Sequence, residues 1–123
     1  MDLYITDPEF AERFEHFAFH EVINEENQQV DEKTRTMAIL SVLIGCGGME
    51  AFREMLPKAL ESSMTPIAVK EIVYQATDYL GYGRMLPFLK ATNEIFIEKG
   101  IQLPLDDQAT TTIVNRLEKG IEA

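Results

Sequence analysis

Apolar residues recur along most of the chain at the three- and four-residue spacing of amphipathic helices. The spacing is clearest in Phe10, Phe14 and Phe17 near the N-terminus, and in Val69 and Val73 further on. Alternation of apolar and polar positions, which marks strands, is weak throughout. The sequence therefore predicts an all-α fold, a single-domain bundle of about five to six helices.

Local signals indicate where these helices begin and end. Asp7-Pro8 and Thr65-Pro66 each place a side-chain oxygen at the N-cap and a proline at the first helical position. A further helix is predicted to start near Asp31, and Gly100 is predicted to end the last long helix. Residues 37–44 are apolar almost all round, with Ser41 as the polar exception, which predicts a fully buried central helix.

The flanking segments differ from this central part. The glycine-rich residues 45–48 predict a turn, and residues 101–105 are expected to be extended because Pro104 opposes helix. In the polar tail, residues 113–119 are compatible with a short helix. We therefore expect an acidic N-terminal helical arm (1–30), a helical core (31–100) and a C-terminal extension (101–123).

Negative charge is concentrated near the N-terminus. Residues 1–32 carry ten acidic residues and one arginine, a net charge of −9, whereas the remainder carries eleven acids and ten bases, a net charge of −1. The acidic arm is either a solvated helix face or a docking surface for a basic partner. This balance argues against nucleic acid and anionic membranes as partners.

The sequence also bears on location. Its first residues lack the basic and apolar segments of a secretory signal. The longest apolar run covers about residues 37–46, well short of the ~20 residues that span a bilayer. Cys46 is the one cysteine, so no intramolecular disulfide is possible. We expect a cytoplasmic protein with no membrane partner.

A specific succession of short motifs occupies the middle of the chain. Asp-Glu-Lys-Thr-Arg-Thr-Met (31–37) leads into the apolar helix, and Lys-Ala-Leu-Glu-Ser-Ser-Met-Thr-Pro (58–66) follows the glycine-rich break. Val-Lys-Glu-Ile-Val-Tyr-Gln-Ala (69–76) and Asp-Tyr-Leu-Gly (78–81) complete it. Over about residues 30–100 the chain resembles the carboxymuconolactone decarboxylase family, which includes the alkylhydroperoxidase-D-type enzymes.

The resemblance implies an alkylhydroperoxidase-D-like fold that assembles as a homo-oligomer, a trimer or hexamer. Broad apolar helix faces agree with oligomerisation, because they exceed what one small core needs. Residues 100–112 further resemble the first half of members that carry two such domains in tandem. A second family domain is therefore a possible partner.

The family's catalytic residues are replaced in this chain. Peroxidase members use a glutamate, a Cys-x-x-Cys pair and a histidine, in which a thiolate attacks and the second cysteine resolves it. The resemblance places these four on Thr36, Gly48, Ala51 and Met55. None of the replacements supports thiol or acid–base chemistry, and the glutamate and histidine of decarboxylase members are lost as well. No catalytic set and no cofactor are predicted.

Two further features have competing interpretations. Cys46 is either a small buried core residue or a reactive thiol. His16 and His20 have the i,i+4 spacing of metal ligands. No third ligand is evident near them, however, so we predict polar surface residues and no metal site.

Several polar residues are candidates for lining a ligand pocket: Arg35, Cys46, Glu71, Gln75, Tyr79 and Arg84. Tyr74 lies on the same predicted helix as Glu71 and Gln75. In one interpretation Glu71 and Arg84 form an ion pair, and Tyr74 and Tyr79 bond to backbone. In the other, these residues line a small-molecule pocket at a subunit interface, where Arg35 or Arg84 binds a carboxylate.

Three functions follow. The first is a decarboxylase-like protein that acts on or binds a small carboxylate or lactone, with carboxy-lyase activity if it is an enzyme. The second is a non-catalytic structural half of an oligomer or tandem-domain protein. The third is a thiol-dependent alkylhydroperoxidase of peroxiredoxin type, which would need an outside thiol to act with Cys46.

Overall fold

The structure, a computed structural model, describes residues 2–117. Its regular elements are helical throughout that range, as predicted. They are α1 (Leu3–Thr6), α2 (Pro8–His16), a π-helical turn (Phe17–Glu21), α3 (Glu32–Gly45), α4 (Met49–Ser62), α5 (Pro66–Gln75), α6 (Thr77–Leu80) and α7 (Tyr82–Glu98). The chain forms two compact units that divide between Thr34 and Arg35.

The N-terminal unit consists of short helical segments. Pro8 occupies the first turn of α2 as predicted, but Asp7 does not cap the helix amides. Its carboxylate instead accepts a hydrogen bond of 2.7 Å from the Thr6 hydroxyl. Phe10 and Phe14 stack with ring centroids 6.0 Å apart and are both exposed. The aromatic face of α2 therefore stays open to solvent.

Helix α3 starts where the sequence indicated. The Asp31 carboxylate accepts a hydrogen bond of 3.1 Å from the Thr34 amide, and hydrogen bonds from Thr34 lower the pKa of Asp31. The prediction of a fully buried helix was wrong, because Val42 is 65% exposed. Burial on α3 is confined to a single i,i+4 row, which consists of Thr36, Leu40 and Ile44.

The core of the second unit packs α4, α5 and α7 together. Phe52 of α4 meets Phe88 of α7 edge to face, with ring centroids 5.2 Å apart, which is a favourable aromatic geometry. Leu56, Val73 and Phe96 are completely buried beside them. Val69 and Val73, the apolar pair predicted from the sequence to share one helix face, are both buried in this core.

Three predicted helix signals are confirmed in this unit. Thr65 caps α5 by accepting a hydrogen bond of 3.2 Å from the Ala68 amide. Gly47 adopts φ +74° in the turn after α3, and Gly100 adopts φ +76° after α7. A side chain at either glycine would be strained in this left-handed region.

Residues 101–105 are non-helical, as predicted, but they bend at Leu103-Pro104, whose peptide bond is cis, and so are not extended throughout. Ile101, Leu103 and Leu105 pack against the core, while Gln102 and Pro104 between them are exposed. Residues 113–117 form a turn and the beginning of a helix, and the rest of the predicted 113–119 helix lies outside the described residues. Between residues 2 and 117, no helix combines the length and apolarity needed to cross a bilayer.

Candidate ligand-binding site

A groove opens between α5, α7 and the non-helical C-terminal segment (103–111) of the second unit. Its volume is about 1130 Å³, slightly larger than the roughly 300–1,000 Å³ of typical small-molecule sites. We call it the α5–α7 groove. It is lined by Ile67, Lys70, Glu71 and Tyr74 of α5, by Asn93 of α7, and by Leu103, Pro104, Leu105, Asp106, Asp107, Gln108, Ala109 and Thr111 of the C-terminal segment.

Lys70 is the unusual residue of this groove. It is 8% exposed, although lysines are almost never buried without a partner. Its Nζ lies 5.7 Å from the ring centroid of Tyr74 and 5.9 Å from that of Phe96. Within residues 2–117, no carboxylate lies within ion-pair distance of this ammonium group. Burial lowers the pKa of Lys70, because desolvation disfavours the charged amine.

Asn93 adds a second unsatisfied polar group. Its side-chain Oδ1 is buried and accepts no hydrogen bond from the described part of the chain. A buried acceptor without a donor is unfavourable by about 1–3 kcal/mol. Because Asn93 and Lys70 line the same groove, a ligand that carries an acceptor or anion and a donor would satisfy both.

Three carboxylates also line the groove: Glu71, Asp106 and Asp107. Asp106 and Asp107 are exposed and Glu71 is half-buried, so water and salt screen the two aspartates more than the buried lysine. The groove therefore combines a buried cation, Lys70, with two exposed carboxylates, Asp106 and Asp107, which we call the acidic rim. Such a site favours a ligand with one negative charge, or none, over a polyanion.

The predicted pocket residues are scattered. Of the six candidates, Glu71 lines the α5–α7 groove and the other five do not. Gln75 and Arg84 are exposed, Tyr79 is 88% exposed, and Arg35 is half-buried on α3. No Glu71–Arg84 ion pair forms within residues 2–117, so that interpretation was wrong. The two arginines predicted to bind a carboxylate, Arg35 and Arg84, lie outside the groove, and the basic residue that lines it is Lys70.

Cys46 is exposed in the turn after α3, so its interpretation as a small buried core residue was wrong. The glycines beside it leave too little side-chain volume to cover it. The Cys46 thiol donates to the Leu43 carbonyl oxygen at 3.7 Å.

The positions aligned with the family's catalytic residues do not converge within this chain. The Thr36 hydroxyl accepts a hydrogen bond of 3.1 Å from Ser63, which follows the C-terminus of α4. Gly48 precedes the other end of that helix, about 21 Å away at 1.5 Å per residue. A Cβ at Gly48 would also lie 3.2 Å from Leu43 Cδ2, so Leu43 crowds the space a cysteine would need.

The remaining two positions offer no acid, base or thiol, because Ala51 carries a methyl group and Met55 a thioether. Ala51 is exposed, and Met55 packs beside the core. In the N-terminal unit, the His16 and His20 rings stack with centroids 5.9 Å apart. His16 lines a smaller groove with Glu9, Glu12 and Glu21. No group of three or more metal-binding side chains is gathered anywhere in residues 2–117.

The fold and these residues define a class: a helical domain with a groove of ligand size, a buried lysine and a single cysteine. The sequence model of the carboxymuconolactone decarboxylase family matches residues 8–94, and the chain belongs to this family. The predicted resemblance is thereby confirmed. The match starts at residue 8, so it takes in helix α2 as well as the core. No match was found among curated proteins or among solved structures.

Lys70 and Asn93 were not among the pocket residues predicted from the sequence. A weak signal for Lys70 exists, because it precedes Val73 by three residues and so lies beside the apolar stripe of α5. Asn93 similarly follows two buried residues, Ala91 and Thr92. Neither position reveals the C-terminal segment that completes the groove.

Proposed function

We propose that the chain is a family member that binds a small monocarboxylate or lactone in the α5–α7 groove. The observation that carries this proposal is Lys70, a buried lysine that lines the groove and whose ammonium group pairs with no carboxylate among residues 2–117. A ligand carboxylate would supply the missing counter-charge, and a charge-assisted hydrogen bond contributes about 1.5–3 kcal/mol. A lactone carbonyl would accept from the same group more weakly.

The rest of the groove supports a ligand of mixed character. Ile67, Leu103 and Leu105 provide apolar walls, and the half-exposed ring of Tyr74 provides a flat surface. Buried Asn93 Oδ1 would accept a hydrogen bond from a ligand hydroxyl. The acidic rim would disfavour dicarboxylates, tricarboxylates and phosphates by repulsion.

Titration calorimetry tests this function. The panel contains aliphatic and aromatic monocarboxylates, the corresponding lactones and a tricarboxylate. Lys70→Met is expected to weaken monocarboxylate binding about ten- to a hundredfold. Lys90→Met, which removes an exposed lysine of α7 outside the groove, should leave it unchanged. Equal binding by wild type and Lys70→Met, or a preference for the tricarboxylate, would contradict the proposal.

A second candidate function is a structural part of a larger assembly. Its support is the loss of the catalytic set together with exposed apolar side chains on α3, Val42 and Met37. In this proposal the chain forms a trimer or hexamer, or joins a second family domain, through these helix faces. Size-exclusion chromatography with light scattering should show an oligomer, which Val42→Asp dissociates. A monomeric wild-type chain would argue against self-assembly.

A further inference from the structure

We propose that Lys70 is also a nucleophile, whose amine condenses with the carbonyl carbon of a small oxo acid in the α5–α7 groove and promotes loss of carbon dioxide from 3-oxo acids. The inference rests on the proposed binding function, since the oxo acid must first enter this groove. It assigns the chain a carbon–carbon bond cleavage that uses none of the family's thiol, glutamate or histidine positions.

The surroundings of Lys70 suit amine chemistry. A nucleophilic lysine must be reachable, held in place and neutral for part of the time. Lys70 lines an open groove, and its Nζ lies within 6 Å of the Tyr74 and Phe96 ring centroids, at 5.7 and 5.9 Å. No carboxylate among residues 2–117 pairs with it and holds it in the charged form. The lowered pKa of Lys70 increases the fraction of neutral amine.

The sequence of bond changes is balanced without an added oxidant or reductant. Lys70 first loses a proton to water in the groove. Its nitrogen lone pair then bonds to the ketone carbon while the carbonyl oxygen takes a proton, which gives a carbinolamine. Loss of water, with protonation of the departing hydroxyl, leaves an iminium ion on Nζ.

The iminium ion then draws electrons from the neighbouring carboxylate. In a 3-oxo acid, the bond to the carboxyl carbon breaks, carbon dioxide leaves, and the electron pair forms an enamine that ends at nitrogen. The enamine carbon takes a proton, and water adds to the regenerated iminium ion, releasing the ketone and the free amine. The net reaction consumes one oxo acid anion and one proton and yields one ketone and one carbon dioxide.

Two neighbours fit this path. Asn93 Oδ1, a buried acceptor with no donor among residues 2–117, would accept a hydrogen bond from the carbinolamine hydroxyl. Glu71 lines the same groove, so its carboxylate repels a substrate carboxylate, and departure as neutral carbon dioxide removes that repulsion.

Borohydride trapping tests the inference, because hydride reduces an iminium ion to a stable amine that intact-protein mass and peptide mapping locate. Acetoacetate and pyruvate serve as probes. Acetoacetate should leave an adduct on Lys70 that lacks the carboxyl group, whereas pyruvate, a 2-oxo acid, should leave one that retains it. Lys70→Arg keeps the positive charge but cannot form the iminium ion, so its adduct should fall to background. Lys90→Arg is the matched control and should label like wild type.

The outcomes separate this inference from the binding proposal. If wild type binds the oxo acids in calorimetry, Lys70→Met does not, and borohydride gives no adduct on Lys70, the nucleophile is disproved while the binding function stands. If several lysines label equally and Lys70→Arg labels as much as wild type, the nucleophile is also disproved. An acetoacetate adduct on Lys70 that keeps its carboxyl group would show condensation and overturn the decarboxylation.

Discussion

Helix α7 has two sides with opposite properties. Toward α4 it packs Phe88 edge-on against buried Phe52, with ring centroids 5.2 Å apart. Toward the α5–α7 groove it places Asn93, whose buried Oδ1 has no donor within residues 2–117. Its Phe96 ring centroid lies 5.9 Å from Lys70 Nζ. On the α4 side the apolar rings are covered by packing. On the groove side, within residues 2–117, the Lys70 ammonium group has no carboxylate partner and Asn93 Oδ1 has no donor. Unsatisfied groups in an otherwise consistent fold are where a ligand is expected to bind, and this contrast is the basis of the binding proposal.

The packed side of α7 should respond most strongly to truncation. Phe88→Ala deletes a ring that is 4% exposed and should lower the free energy of unfolding by about 3–5 kcal/mol. Ile97→Ala, on the exposed surface of the same helix, should change it by less than about 0.5 kcal/mol. Urea denaturation followed by circular dichroism gives both values. A loss below about 1 kcal/mol for Phe88→Ala would mean that the two sides do not differ as described.

The groove side should respond in the opposite direction. Lys70→Met replaces a desolvated ammonium group by an apolar chain of similar length, so the ligand-free protein should gain about 0.5–2 kcal/mol of stability. Lys90→Met, at an exposed position, should be nearly neutral. Gain of stability with loss of binding is the behaviour of a functional residue. A clear loss of stability for Lys70→Met would instead make the two aromatic contacts of Lys70 structural.

The stability difference between Lys70→Met and wild type should depend on pH, because the pKa of Lys70 differs between the folded and unfolded chains. The pKa of Lys70 is lower in the folded chain than its ordinary value of 10.5, so the unfolded chain binds more protons between those two pKa values. Wild-type stability therefore gains with pH through this window. The advantage of Lys70→Met should be full below the folded-state pKa of Lys70, should shrink as pH rises through the window, and should disappear above about pH 10.5. A constant advantage across the range would exclude desolvation of the ammonium group as its cause.

Some features of the fold could be predicted from sequence patterns and others could not. The Thr65 cap, the turn at Gly47 and the end of α7 at Gly100 were predictable, because each depends on neighbours within a few residues. The exposure of Val42 was not, since periodicity counts apolar positions but does not say whether another surface covers them. For the same reason the groove beside Lys70 could not be predicted, because residues 103–111, which complete its lining, lie more than thirty positions further along the chain.

A smaller effect should come from the acidic rim. Asp106→Asn with Asp107→Asn removes two exposed carboxylates that line the groove, so monocarboxylate binding should strengthen about two- to fivefold. Asp78→Asn with Glu98→Gln removes the same charge from exposed positions outside it. The gain should shrink as salt rises, because exposed charges are screened. If both double variants gain equally, net charge rather than the rim opposes the ligand.

The smallest change is expected at Cys46, on the side of the molecule where the family's thiol chemistry would lie. Its thiol is exposed and makes one weak contact, with the Leu43 carbonyl oxygen at 3.7 Å. Serine can donate to the same oxygen, so Cys46→Ser should keep ligand affinity within about twofold and stability within about 0.5 kcal/mol. Peroxide consumption in the presence of an external dithiol is the decisive second measurement. If wild type consumes peroxide and Cys46→Ser does not, the reactive group is the thiol in the α3–α4 turn rather than Lys70 in the groove. The resolving thiol would then come from outside, because Cys46 is the one cysteine of the chain.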